Sequence, residues 1–291
     1  MALFNKRQPR WPELLMMLPS FMWLLVFFAI PTLIIFAFAF KPSDMYGGIK
    51  EGWTLENFYA VMDPNYLIII WRTVWLSLLT TFLCLLFALP TGYYLALAPP
   101  KWRRLLLLLI IMPFWSSFLV RIFAWKALLH PEGLIKKSLV FLHLINPDTS
   151  LLYQSSAVLL VMVYTYLPFA ILPIYAAAEK FNFHLFEAAM DLGASRLTAF
   201  FKIFIPGIQR GIITALVMVF IPAMGAYVIP DIVGGTQSEM IGNKIAQRTF
   251  VDRNLPQASM LSLILSLAIL LPMIAIIFAQ TRSKIWPSQK E

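Results

Sequence analysis

The sequence predicts an all-α integral membrane protein with six transmembrane helices. Three observations carry that prediction. Of 291 residues, 60% are hydrophobic and only 13% are charged, with a mean hydropathy of +0.78. So little charge could not cover a soluble domain without large exposed apolar patches. The apolar residues also gather into six runs, each near the length of about 20 residues that a helix needs to cross the hydrocarbon core. Those runs lack the alternation of barrel strands.

The spans lie at about 14–40, 69–98, 105–129, 155–178, 212–233 and 258–279. The first follows Lys6, Arg7 and Arg10. Its apolar stretch is too long for the core of a signal peptide, so it is read as an uncleaved span. Span two contains Pro90 and Gly92, span three Pro113, and span four Pro168 and Pro173. Span five holds Pro222, Gly225 and Pro230. Three breakers in one span predict a kinked or partly unwound helix, tolerated where protein or a cavity satisfies the freed backbone groups.

Basic residues set the orientation. With both termini inside, the inner segments hold Lys6, Arg7, Arg10, Lys101, Arg103, Arg104, Lys180, Arg196, Lys202, Arg210, Arg282, Lys284 and Lys290. The outer segments hold Lys41, Lys50, Lys136, Lys137, Lys244, Arg248 and Arg253. The bias predicts cytoplasmic N and C termini. It also explains the net charge of +9 without nucleic acid, since basic residues flank spans and meet membrane lipid.

The loop at 179–211 stands out. Around FEAAMDLGASRLTAFFKIFIP (186–206), Ala189 and Leu192 recur at helical spacing with Leu185 just before it, and Glu187 and Asp191 lie on another face. Gly193 is suited to end that helix in a left-handed turn, and Ser195 to cap the next. Leu197, Phe200, Phe201 and Phe204 give the second helix an apolar side, and Pro206 is expected to end it before Arg210. Periodicity alone admits two readings: a hairpin resting on lipid, or a docking element for a cytosolic partner.

Glu187-Ala188-Ala189, then Gly193, Ile203 and Pro206 resemble the EAA signature of ABC importer permease subunits. Ile205 stands where those permeases usually carry Leu. The segments 114–125, 187–195 and 220–235 are most similar to spermidine/putrescine permeases, although Ala226 replaces a Glu found in some of them. The resemblance implies a type I ABC importer permease fold, a single transmembrane permease domain over 1–291 in the inner membrane. It implies that Glu187, Ala188, Ala189, Asp191, Gly193 and Pro206 belong to a coupling helix seated on an ATPase subunit. It further implies a second, different permease subunit, a soluble substrate-binding protein, and ATP and magnesium bound by the ATPases. The chain itself has no phosphate-binding GxxxxGK[ST] loop and no nucleophile–base set, so it is expected to be non-catalytic. Cys84 lies in an apolar run as a packing residue, and His130, His143 and His184 lack ligand spacing.

Ionisable groups inside spans are costly and mark functional positions. Arg72 and Lys126 fall near outer ends and can snorkel to water. Arg121 and Asp231 lie about 24 and 28 Å from the inner face at about 1.5 Å per residue. They are candidates for an ion pair between spans three and five, for hydrated interface positions, or, in the case of Asp231, for contact with a cationic substrate. Trp115, Tyr164, Tyr166 and Tyr227 are aromatic candidates near the pathway, able to meet ammonium groups through their π faces. A polyamine is the expected solute. An amino acid, a sulfonate or iron remain alternatives, and a secondary transporter or channel is the alternative of another class.

Overall fold

The computed structural model describes residues 11–44 and 47–283. Apart from an isolated antiparallel bridge between Ser43 and Ile49, the described regular structure is helical. Four helices are each long and apolar enough to cross a membrane, or six if each of two bent pairs is one span. The described chain falls into two compact units, one over 11–63 and 247–266, the other over 64–246 and 267–283.

In the first unit, α1 runs from Trp11 to Leu24, through a π-helical turn Leu25–Ala29, to Ile30–Phe38. Its apolar side chains from Leu15 to Ile35 are almost all exposed. The turn after it is closed by α2 (Glu56–Val61). Buried Asn57 of α2 donates to the carbonyls of Ala39 and Lys41 at 3.1 and 2.8 Å, satisfying two carbonyls at the end of α1.

The second unit is organised around three helices: α3 (Pro64–Leu97), α7 (Ser155–Glu179) and α10 (Gln209–Met224). Each packs on the other two. Between α3 and α7 lie α4 (Pro100–Ile111), a 3-10 turn Met112–Trp115, α5 (Phe118–Leu129) and α6 (Leu134–Phe141). The loop hairpin consists of α8 (His184–Asp191) and α9, which is Arg196–Ala199 extended by a π turn Phe200–Phe204 and Ile205–Gly207. After α10 come α11 (Val228–Val233) and α12 (Ile241–Ala246); the last helix, α13 (Leu255–Ser283), has its residues to 266 in the first unit and the rest in the second.

Small residues let the three central helices touch. A Cβ on Gly92 of α3 would lie 2.6 Å from Ile174 of α7, and one on Gly211 of α10 would lie 2.9 Å from the Pro173 carbonyl. Without a hydrophobic force between helices in lipid, such close backbone packing is the main source of association. This explains why Pro90, Gly92, Pro168 and Pro173 do not interrupt α3 or α7, both of which stay continuous. Neighbouring helices hold them in place.

Span three, which carries the breaker Pro113, does not run as one helix over 105–129. It bends by 93° between Pro100–Trp115 and Phe118–Phe141. Pro113 sits in the 3-10 turn before that break, and Ser116 is extended with ψ 150°. The second loop helix ends at Gly207, one residue after Pro206 and before Arg210, as expected. A π turn precedes that end, with Ile205 N–H donating to Phe200 O, and a 74° bend leads into α10.

Gly211→Leu is expected to overpack the α7–α10 contact and destabilise the fold by about 1–3 kcal/mol. Thermal unfolding of the purified protein in detergent should show a lower midpoint, and an unchanged midpoint would contradict the close-packed contact.

Candidate functional site

The 179–211 loop owes its shape to local chemistry. Gly193 has φ +88°, a left-handed conformation that closes α8, and nothing lies within 4 Å of where a Cβ would be. Ser195 caps α9, its hydroxyl accepting from Thr198 N–H at 3.2 Å. Phe186, Phe204 and Ala199 are buried and tie the hairpin to the core.

Its apolar periodicity does not all point inward. Leu185 and Leu192 are 56% and 90% exposed, and Leu197 and Phe201 are 71% and 62% exposed. Ala188 is also exposed, whereas Ala189 is half-buried against the core. Glu187 and Asp191 are exposed on the same short helix. Glu187 meets His184 Nδ1 at 3.2 Å, one turn away and in water, so the pair adds little stability. The hairpin therefore presents outward a small apolar surface edged by carboxylates. Such a surface suits a protein partner better than solvent.

The candidate pathway residues lie on or just before α5, α7 and α11, which pack on one another. Arg121 on α5 makes no ion pair with Asp231 among the described residues. Its guanidinium carbon instead lies 5.4 Å from the Phe114 ring and 6.0 Å from that of Phe118, and its buried Nε has no hydrogen-bond partner. Asp231 is exposed, as is Tyr227 one turn before it. Tyr164 packs its ring 5.2 Å from Trp125, a core contact between α7 and α5. Trp115 is 76% exposed in the turn before the break.

Span five breaks where three breakers predict it. Helix α10 ends at Met224, and α11 begins at Val228 after Gly225, Ala226 and Tyr227. The freed backbone groups find partners. Tyr166 Oη donates to the Pro222 carbonyl at 3.2 Å, and Asn243 Nδ2 donates to the Tyr227 carbonyl at 2.9 Å. A crevice of about 170 Å³ opens at this point, lined by Phe118, Tyr166, Pro222 and Tyr227 among others. The sequence singled out Tyr166 only as an aromatic and passed over Asn243. Because α10 ends at Met224, the Pro222 carbonyl lies in its last turn and needs a donor from outside the helix, which is the signal the breakers of span five carried. Arg72, expected to snorkel, reaches the carbonyls of Thr236 and Glu239 at 3.5 Å. Among the described residues, no group of three or more His, Cys, Asp or Glu could hold a metal ion.

A packed helical bundle, a broken span and an amphipathic hairpin at one end together define a polytopic transport subunit. The chain belongs to the family of binding-protein-dependent transport system inner membrane components, whose pattern matches residues 88–283. It is 35% identical to the spermidine/putrescine transport system permease protein PotB of Haemophilus influenzae, covering 84% of this chain and 85% of that one. It is 36% identical to PotB of Escherichia coli K12, covering 84% and 89%. The inner membrane ABC transporter permease protein YdcU of the same organism is 27% identical, covering 86% and 84%. A chain in the crystal structure of a bacterial ABC transporter that imports alginate superposes with a TM-score of 0.71 at 19% identity, covering 96% and 97%.

Gly193→Val is expected to strain the α8–α9 turn, whereas Gly193→Asn, which tolerates the left-handed region, is expected to preserve it. Limited proteolysis of the loop in membrane vesicles should be faster for the valine variant only. Equal rates for both would mean that the turn does not depend on this conformation.

Proposed function

We propose that this chain forms half of the translocation pathway of an ATP-driven importer for a polyamine such as spermidine or putrescine. The observation that carries the substrate class is the 35–36% identity, across 84% of the chain, to permeases named for spermidine and putrescine. In this reading both termini and the 179–211 loop are cytoplasmic. The exposed Glu187, Ala188, Asp191 and neighbouring apolar side chains dock an ATPase subunit, with Gly193 and Pro206 shaping the hairpin. ATP and magnesium bind the ATPase subunits, and this chain contributes no catalytic group. A second, different permease completes the pathway, and a soluble binding protein delivers the solute.

The broken fifth span supplies the pathway chemistry. Tyr227 at the start of α11 and Asp231 within it, both exposed, offer a π face and a carboxylate to an ammonium group. A carboxylate facing bare hydrocarbon would be expensive, whereas one facing a hydrated pathway is not. Arg121 and Phe114 lie on the neighbouring helical segments.

The substrate reading is tested by calorimetric titration of the cognate binding protein with spermidine and putrescine. Binding is expected, and binding of neither would overturn the polyamine assignment. Glu187→Lys is expected to reduce co-purification of the ATPase subunit at least about tenfold, a loss of about 1.4 kcal/mol. Unchanged co-purification and transport would remove the docking role. Asp231→Asn should lower polyamine uptake in proteoliposomes while leaving ATPase association intact. Normal uptake would take Asp231 out of the pathway.

A further inference from the structure

One side chain of the membrane bundle joins four rings of the loop hairpin. Tyr93 of α3 is surrounded by four rings of the loop: Phe204 at 5.0 Å between ring centres, Phe200 at 5.5 Å, Phe186 at 5.6 Å and Phe183 at 6.0 Å. These four come from α8, α9 and the residue that precedes α8. Phe181 closes the cluster, 5.2 Å from Phe183 and 5.3 Å from Phe204. One residue before Tyr93, Gly92 lets α3 approach α7 so closely that a Cβ there would stand 2.6 Å from Ile174. The same short piece of α3 is thus held on one side by the bundle and on the other by the hairpin.

We infer that Tyr93 is a positioning residue that carries displacement of the 179–211 hairpin into α3, and so into the helix bundle. Two further features favour transmission over simple packing. The hairpin rings come partly from the π turn Phe200–Phe204, a rare form of helix frequent at functional sites. An open crevice of about 330 Å³, lined by Pro90, Tyr93, Phe186, Arg196, Leu197 and Phe200, lies beside the cluster. Close-packed elements transmit strain, and space beside them lets the joint take a second arrangement. Pro90 adds local compliance, since it removes one backbone hydrogen bond of α3 a turn before Tyr93.

This inference rests on the reading that the hairpin docks an ATPase subunit. The test uses the complete transporter, reconstituted in proteoliposomes, with Tyr93→Ala, Tyr93→Leu and Tyr93→Phe. Two quantities are read: the ATPase subunit retained on the purified complex, and the factor by which solute-loaded binding protein stimulates ATP hydrolysis. Tyr93→Ala is expected to retain the ATPase at the unmodified level while stimulation falls at least about fivefold, the low end of allosteric coupling. Tyr93→Phe, which keeps the ring, is expected to stay close to the unmodified protein in both. If Tyr93→Ala does not accumulate in membranes, Tyr93→Leu carries the same expectation, because it fills space without a ring. Retention with unchanged stimulation overturns the inference and leaves the docking reading standing. Parallel loss of retention and stimulation also overturns it, since the cluster would then only shape the docking surface. No ATPase retained on the unmodified complex overturns the docking reading and this inference together.

Discussion

A backbone polar group in hydrocarbon has no water to bond, and that constraint governs where this chain is allowed to break. Long stretches of α3, α7 and α13 meet it by unbroken helix. Some interruptions in the second unit are met by a partner from elsewhere in that unit. Tyr166 satisfies Pro222 at the break in span five, and Asn243 satisfies Tyr227. Thr73 Oγ1 accepts from the N–H of Ile241 at the start of α12, at 2.9 Å. A membrane helix does not end at these points for want of hydrophobicity. It ends where another segment is placed to accept or supply the hydrogen bonds.

The same constraint separates two uses of proline. In α7, Pro168 and Pro173 leave the helix continuous because both α3 and α10 pack against it. In span five, Pro222 and Pro230 flank Gly225, and no regular helix links α10 to α11. The difference lies in surroundings, not in the residue. A proline held between two packed helices is a local perturbation, whereas one beside a glycine and a donor becomes a corner.

Much of this was legible in composition and period. The apolar runs that became α1, α3, α7 and α13, the left-handed turn at Gly193 and the cap at Ser195 all follow from local rules. So does the break in span five. The size of the bend in span three was not legible, because one proline and two serines in PFWSSF (113–118) admit either a mild kink or a full break. The outward turn of Leu185 and Leu192 was also hidden, since periodicity shows that a face exists and not what covers it. Tyr93 carried no signal at all. Its role as a ring centre depends on four phenylalanines about 90 to 110 residues further along the chain, and only the folded chain assembles them.

The absence of an Arg121–Asp231 pair among the described residues changes what each charge can do. An ion pair would have locked α5 to α11, and both groups would have been spent on structure. Arg121 instead rests on two phenylalanine faces, where its charge is offset by ring quadrupoles and no carboxylate is consumed. Asp231 is left exposed on a short helix that follows a break. The contrast with the other end of the unit is physical. Around Tyr93 the contacts are apolar, numerous and close, suited to passing on a movement without absorbing it. Around Gly225 they are few, polar and directional, so a small rotation can exchange one hydrogen bond for another. A subunit built this way is stiff where the proposed force enters and switchable where the proposed solute passes.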